Sequence, residues 1–169
     1  MIGERALIKV TWQEVQAAVH DIVKKLLVLE GYSKIDFDDI HAIVYIPRGG
    51  AIPAAMLARD LYARHRLAGE MLPIMDINTY EQLIAVGNNG KCLLVDDIIE
   101  RGDAFTRALQ SCTDAIPVAL YKKCCKDAKE IPDVIVGRQL PSGKYWLVFP
   151  WENISEEEIR SNVYYETDE

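Results

Sequence analysis

The stretch Leu93-Leu94-Val95-Asp96-Asp97-Ile98-Ile99-Glu100-Arg101-Gly102-Asp103-Ala104 carries the densest chemistry in the chain. An apolar run enters two adjacent carboxylates, then a third acidic side chain, then a glycine turn. Adjacent carboxylates repel each other and are costly unless solvated, cation-bound or hydrogen-bonded. Sugar hydroxyls supply donors and Mg2+ supplies charge, so a sugar–metal ligand suits the pair. A glycine turn that opens a helix presents N–H groups to an anion. Taken alone, an Asp-Asp pair more often just ends a strand, and an Asp in the place of Asp103 more often just caps a helix.

A second polar cluster, Pro47-Arg48-Gly49-Gly50, follows another short apolar run. Its glycines let the backbone approach a ligand, and Arg48 can neutralise a diphosphate. Elsewhere an Arg-Gly-Gly tripeptide is usually only a turn. Tyr121-Lys122-Lys123 puts ammonium groups at the end of a third apolar run, where a lysine pair is otherwise most often a solvated strand end. Tyr145-Trp146-Leu147-Val148-Phe149-Pro150-Trp151-Glu152 is aromatic and apolar. By itself it reads as an edge strand packed on the core, and Trp151 belongs to that reading.

The elements that must position these residues follow from pattern. Thr11-x-x-Glu14 is a capping box, and Val15, Ala18, Val19, Ile22 and Leu26 recur on one face of the helix it opens. Gly31 to Asp39 is a polar connection. Strands are expected at Ile43–Ile46, Leu72–Ile77, Leu93–Val95, Val118–Tyr121 and Val134–Val136, with helices over Pro53–Leu67 and Ala104–Ser111. Strands alternating with helices predict an α/β fold with a mainly parallel twisted sheet flanked by helices. Such sheets bind ligands at the carboxyl ends of their strands, which is where the polar clusters fall.

The chain has 169 residues, half of them hydrophobic, which fits one globular domain. A net charge of −7 argues against a general nucleic-acid binder, which needs a basic face. No apolar run reaches membrane-spanning length, and Met1-Ile2-Gly3-Glu4-Arg5 lacks the regions of a secretion signal. Cys92, Cys112, Cys124 and Cys125 show no paired zinc spacing and read as reduced thiols of a cytoplasmic protein. The tail after Ser155 is acidic, and its end is expected to be mobile.

From Thr11 to about Glu152 the sequence resembles type I phosphoribosyltransferases, most of all bacterial xanthine–guanine and archaeal-type hypoxanthine–guanine enzymes. The segment from Leu93 through Gly102 is similar to their signature for phosphoribosyl pyrophosphate (PRPP). Ile46 to Ala54 resembles the pyrophosphate loop of the purine branch, and Tyr145 to Glu152 the base-binding hood. The resemblance implies a single domain, with hood elements over about 123–152 and an acidic tail over about 155–169. It implies transfer of ribose-5-phosphate from PRPP to a 6-oxopurine, with Mg2+ as cofactor and a homodimer or homotetramer as assembly. Glu100 would take the general acid/base role and Arg48 would be catalytic. Arg48, Gly49, Gly50, Asp96, Asp97, Arg101, Gly102, Asp103, Ala104 and Phe105 would bind PRPP, and Asp97 with Asp96 would hold the metal. Lys123 would meet the purine 6-oxo group, Trp146 would stack on the base, and the Leu147 backbone would read its edge. The peptide bond Pro47–Arg48 is a candidate for a non-proline cis bond. Asp76-Ile77-Asn78-Thr79-Tyr80 through Gly87-Asn88-Asn89-Gly90 stands in the place of the family's mobile catalytic loop.

One departure is plain. The family continues its signature as Thr-Gly-x-Thr, whereas this chain has Arg101-Gly102-Asp103-Ala104. Both hydroxyls for the 5′-phosphate are missing. Arg101 could replace them by charge-assisted contacts, while Asp103 would repel the phosphate unless it turned outward. A PRPP- or nucleotide-sensing regulator with the same fold and a transferase for an unusual base are the rival readings.

Overall fold

The computed structural model describes residues 6–32, 34–65, 71–85, 90–143 and 145–152. The acidic tail and residues 86–89 lie outside them. The chain divides into two compact units, Val15–Gly143 on one hand and Met1–Glu14 with Lys144–Glu169 on the other.

The larger unit is built on a five-stranded sheet of β2 (Ile40–Tyr45), β3 (Ile74–Asp76), β4 (Lys91–Ile99), β5 (Ile116–Lys123) and β6 (Ile135–Leu140). Its order is β3-β2-β4-β5-β6, and every pairing is parallel. The central strand β4 is buried along almost its whole length, as a strand covered on both faces must be.

Helices α2 (Ala51–His65) and α4 (Asp103–Ser111) cross from β2 to β3 and from β4 to β5, in opposite directions along the sheet. Right-handed crossovers therefore put them on opposite faces. Helix α3 (Ile77–Ala85) shares the α4 side: Ile77 and Tyr80 join Phe105, Ala108, Leu94 and Ile131 in one apolar cluster. Helix α1 (Trp12–Gly31) buries Val15, Ala18, Val19, Ile22, Val23 and Leu26, the face that its apolar spacing marks out. Gly137 of β6 admits this close approach: a Cβ there would lie 2.8 Å from the Ala18 carbonyl oxygen.

The smaller unit is a parallel pair, β1 (Ala6–Lys9) with β7 (Tyr145–Val148), in the register Leu7↔Trp146 and Ile8↔Leu147. Phe149 stacks on Trp151 at 4.7 Å between ring centroids, and Trp12 lies tilted against Trp151 at 5.9 Å. Trp151 thus packs among aromatics, as expected. In the capping box, the Thr11 amide donates to Glu14 Oε2 at 2.7 Å and the Glu14 amide donates to Thr11 Oγ1 at 3.2 Å.

The structure corrects one expectation. Asp76 to Ala85 is not an open loop: Asp76 ends β3 and α3 begins at Ile77. Asp76 Oδ1 accepts the amides of Asn78 and Thr79, and Thr79 Oγ1 donates to Asp76 Oδ2. A carboxylate that satisfies the first amides of a helix nucleates it, and the apolar Ile77–Tyr80 side then docks into the core. The expected strand Leu72–Ile77 is correspondingly shorter, Ile74–Asp76.

Candidate functional site

Strand order reverses between β2 and β4, since the chain leaves β2 toward one edge and β4 toward the other. A crevice at the carboxyl ends of two such strands is the usual ligand site of an open parallel sheet. Pairing of β2 with β4 ends at Tyr45↔Val95, closed by the Ile46 amide donating to the Val95 carbonyl at 2.9 Å. From there β2's chain turns off through a cis Pro47–Arg48 bond, the non-proline cis bond foreseen from the sequence. Strand β4 runs on to Ile99 with β5 as its neighbour, Asp96↔Ala119 and Ile98↔Tyr121. Both carboxylates therefore stand past the point where β2 has left.

The turn after β2 lies directly on Asp97. A Cβ on Gly49 would sit 2.1 Å from Asp97 Oδ2, and one on Gly50 would sit 2.3 Å from the Val95 carbonyl oxygen. At Gly50 a side chain would meet backbone, and at Gly49 it would have to displace the Asp97 carboxylate or the turn. Asp96 and Asp97 are buried, at 8% and 9% exposure. Asp96 Oδ1 accepts the Asp97 amide at 2.9 Å, and Asp97 Oδ1 accepts the Ile98 amide at 2.7 Å. Burial, and secondly the Asp97 charge, push the Asp96 carboxyl up to about 8. Arg48, next to Gly49 in sequence, is exposed and forms no ion pair with any described residue.

One turn on, the buried Lys123 at the end of β5 holds Glu100, Nζ to Oε1 at 3.2 Å. The two were read from separate motifs, and parallel pairing of β4 with β5 brings them together. Gly102 follows in the left-handed region at φ 81 and precedes α4. Its carbonyl accepts both the amide and the hydroxyl of Thr106, each at 2.9 Å. Phe105 is fixed in the core, which leaves its backbone as its only means of meeting a ligand. Ala104 is half-buried.

Asp103 turns to two cations. Arg101 Nε stands 3.2 Å from its Oδ2, and Lys129 Nζ stands 2.8 Å from its Oδ1. Lys129, with Arg101 second, holds the Asp103 carboxyl below the usual carboxylate range. Sequence reasoning missed Lys129. It lies on the long β5–β6 connection, with no local motif to single it out.

Trp146 and Leu147 belong to the smaller unit, half-buried and buried respectively on β7. Among the described residues no group of three or more His, Cys, Asp or Glu side chains is arranged to hold a metal. Nor is any described helix long and apolar enough to cross a membrane. All four cysteines are free thiols.

No family model matches the chain. A xanthine-guanine phosphoribosyltransferase of Chromohalobacter salexigens is 26% identical over 149 residues, covering 83% of this chain and 78% of the relative. One of the same name from Gluconobacter oxydans is 26% identical over 150 residues, covering 85% and 83%. Among solved structures, a hypothetical protein from Neisseria gonorrhoeae with bound ppGpp superposes at a TM-score of 0.67, with 18% identity over 94% of this chain and 96% of the other. The xanthine-guanine-hypoxanthine phosphoribosyltransferase of Helicobacter pylori superposes at 0.59, with 17% identity over 92% and 99%.

Proposed function

We propose that this chain, which shares the type I phosphoribosyltransferase fold with the proteins it matches, transfers ribose-5-phosphate from PRPP to a 6-oxopurine and releases pyrophosphate. The observation that carries this reading is the seating of Gly49 on the Asp97 carboxylate. Two motifs from distant parts of the chain, one suited to a diphosphate and one to ribose hydroxyls, meet where PRPP would need both.

In this reaction a purine nitrogen bonds to the ribose anomeric carbon while the bond to the pyrophosphate oxygen breaks. Positive charge develops on the sugar, and negative charge on the leaving group. Arg48 and the amides of the Gly49-Gly50 turn stabilise the leaving pyrophosphate. Asp96 and Asp97 accept the ribose hydroxyls and fix the anomeric carbon for attack. Glu100 takes the purine proton, and the Lys123 ammonium that holds it also reaches the 6-oxo group. The Asp96–Asp97 oxygens fit Mg2+, a hard ion that takes one or two carboxylates together with substrate phosphates. Burial beside a like charge disfavours the ionised form of Asp96, and a cation bound there would favour it again. Mg2+ would supply Lewis-acid charge to the leaving group. Cytoplasmic location and a homodimer or homotetramer belong to the same reading.

Pyrophosphate release measured with PRPP, Mg2+ and each of hypoxanthine, guanine, xanthine and adenine tests it. Release with a 6-oxopurine is expected, and silence with every base sinks the proposal. The superposition on the ppGpp-bound Neisseria protein favours a second reading, a nucleotide sensor on the same fold. Calorimetry that finds tight nucleotide or PRPP binding without turnover would select it.

A further inference from the structure

The hydroxyls missing from Arg101-Gly102-Asp103-Ala104 leave the 5′-phosphate half of the site short of donors. The fold brings a cation there from elsewhere. The Lys129 amide donates to the Arg101 carbonyl at 2.8 Å, so the β5–β6 connection is tied to the loop it faces. The Lys129 carbonyl oxygen lies 3.1 Å from where a Cβ on Gly102 would stand. Nearby, Ile131 is buried in the same apolar cluster as Phe105 and Ala108 of α4, which fixes the connection against that helix. Lys129 is therefore presented to the turn by backbone and core contacts, beyond its side-chain ion pair.

Asp103 places its two carboxylate oxygens on two cations, Arg101 and Lys129, at the first turn of α4. An anion held by an arginine and a lysine beside the start of a helix is placed as a phosphate monoester would be. A phosphate brings three oxygens and up to two charges where the carboxylate brings two oxygens and one. The three side chains are 71%, 39% and 55% exposed for Arg101, Asp103 and Lys129, so their pairing is weak and opens at little cost.

We propose that Lys129 binds the 5′-phosphate together with Arg101, and that Asp103 is an internal stand-in anion which yields its place when the phosphate arrives. This rests on the transferase reading for the identity of the ligand, and it names a binding residue outside the PRPP signature. It also removes the repulsion expected of Asp103, because the carboxylate is displaced from the cations as the phosphate enters.

Calorimetry on the full chain, with ribose 5-phosphate and with inorganic pyrophosphate as separate probes, tests the proposal. Lys129→Ala should weaken ribose 5-phosphate binding by about fivefold to tenfold, the size of one charge-assisted contact, and leave pyrophosphate binding unchanged. Lys129→Arg should recover most of the loss. Asp103→Asn should tighten ribose 5-phosphate binding by about twofold to threefold, since an exposed competing pair is removed. Unchanged affinity in Lys129→Ala overturns the proposal, and so does an equal loss for both probes, which would mark a general disturbance of the fold. Should the native chain bind ribose 5-phosphate in this Lys129-dependent way but turn over no base, the transferase reading fails and this one stands. Turnover by a Lys129→Ala variant with an unaltered KM for PRPP would sink this one alone.

Discussion

Two aspartate sites, one in strand β4 and one at the start of α4, are built on opposite principles. Asp96, in β4 next to the Asp97 on which Gly49 lies, is buried and pushed up to about 8 by burial and by Asp97. Asp103, at the start of α4, is half exposed and held low by Lys129 and Arg101. The first site is made by backbone seated on a carboxylate, with no room for even a methyl group. The second is made of long side chains meeting at the surface. A site of the first kind can be lost but hardly varied, whereas one of the second kind can exchange donors.

The largest effect is expected at the buried site. Gly49→Ala must displace either the turn or the Asp97 carboxylate, and a misplacement of that size costs on the order of 10²-fold in rate. Steady-state transfer assays, with far-UV circular dichroism to show an unchanged fold, would check this. Activity within about threefold of native would show that the seat tolerates change, and the contrast would collapse.

At the exposed site the backbone is the sensitive part. Gly102→Ala forces a Cβ into the left-handed region and toward the Lys129 carbonyl, so a loss of about 1–2 kcal/mol in urea unfolding is expected. Arg101→Ala, which alters only a side chain, should change stability by less than about 0.5 kcal/mol in the same experiment. An equal loss in the two variants would break the distinction between backbone and side-chain roles.

Thr11→Ala serves as a reference remote from both sites in sequence. Loss of the capping box should lower stability by about 1 kcal/mol with kcat unchanged. A fall in kcat would tie the start of α1 to catalysis.

The smallest effect concerns pH. Asp103 has a folded pKa below its unfolded value, so its ion pairs stabilise the fold above the ordinary carboxylate pKa of about 3.9 and lose that effect as pH falls through the depressed value. The small Tm difference between native protein and Lys129→Ala should therefore be present at neutral pH, shrink as pH falls below the ordinary carboxylate pKa, and vanish only in acid below the depressed Asp103 value. A difference that persists there would mean that Lys129 acts through packing and its backbone tie, independent of Asp103.

Much of this was legible in the residues. The Thr11–Glu14 box, the α1 face, the parallel α/β order and the polar clusters at strand ends are local patterns, and local patterns report local structure. Asp76-x-x-Thr79 was equally local: its capping of α3 could have been read, and the loop expectation hid it. Strand β1 was not legible, because four residues become a strand only by pairing with β7 from the far end of the chain. Nor did periodicity show that β4 extends to Ile99, since Asp96 and Asp97 interrupt the apolar run that marks a strand.

The sequence alone determined which groups are available: a carboxylate pair after an apolar strand, a glycine turn behind an arginine, and a second glycine turn that opens a helix. Each is written in contiguous residues, whose chemistry and conformational freedom need no partner to be recognised. The tertiary structure decided which of these groups meet. Strand order sets Gly49 on Asp97, parallel pairing brings Lys123 to Glu100, and the β5–β6 connection carries Lys129 to Asp103. Contacts between distant segments follow from how helices and strands bury their apolar faces, and that packing is a property of the whole chain.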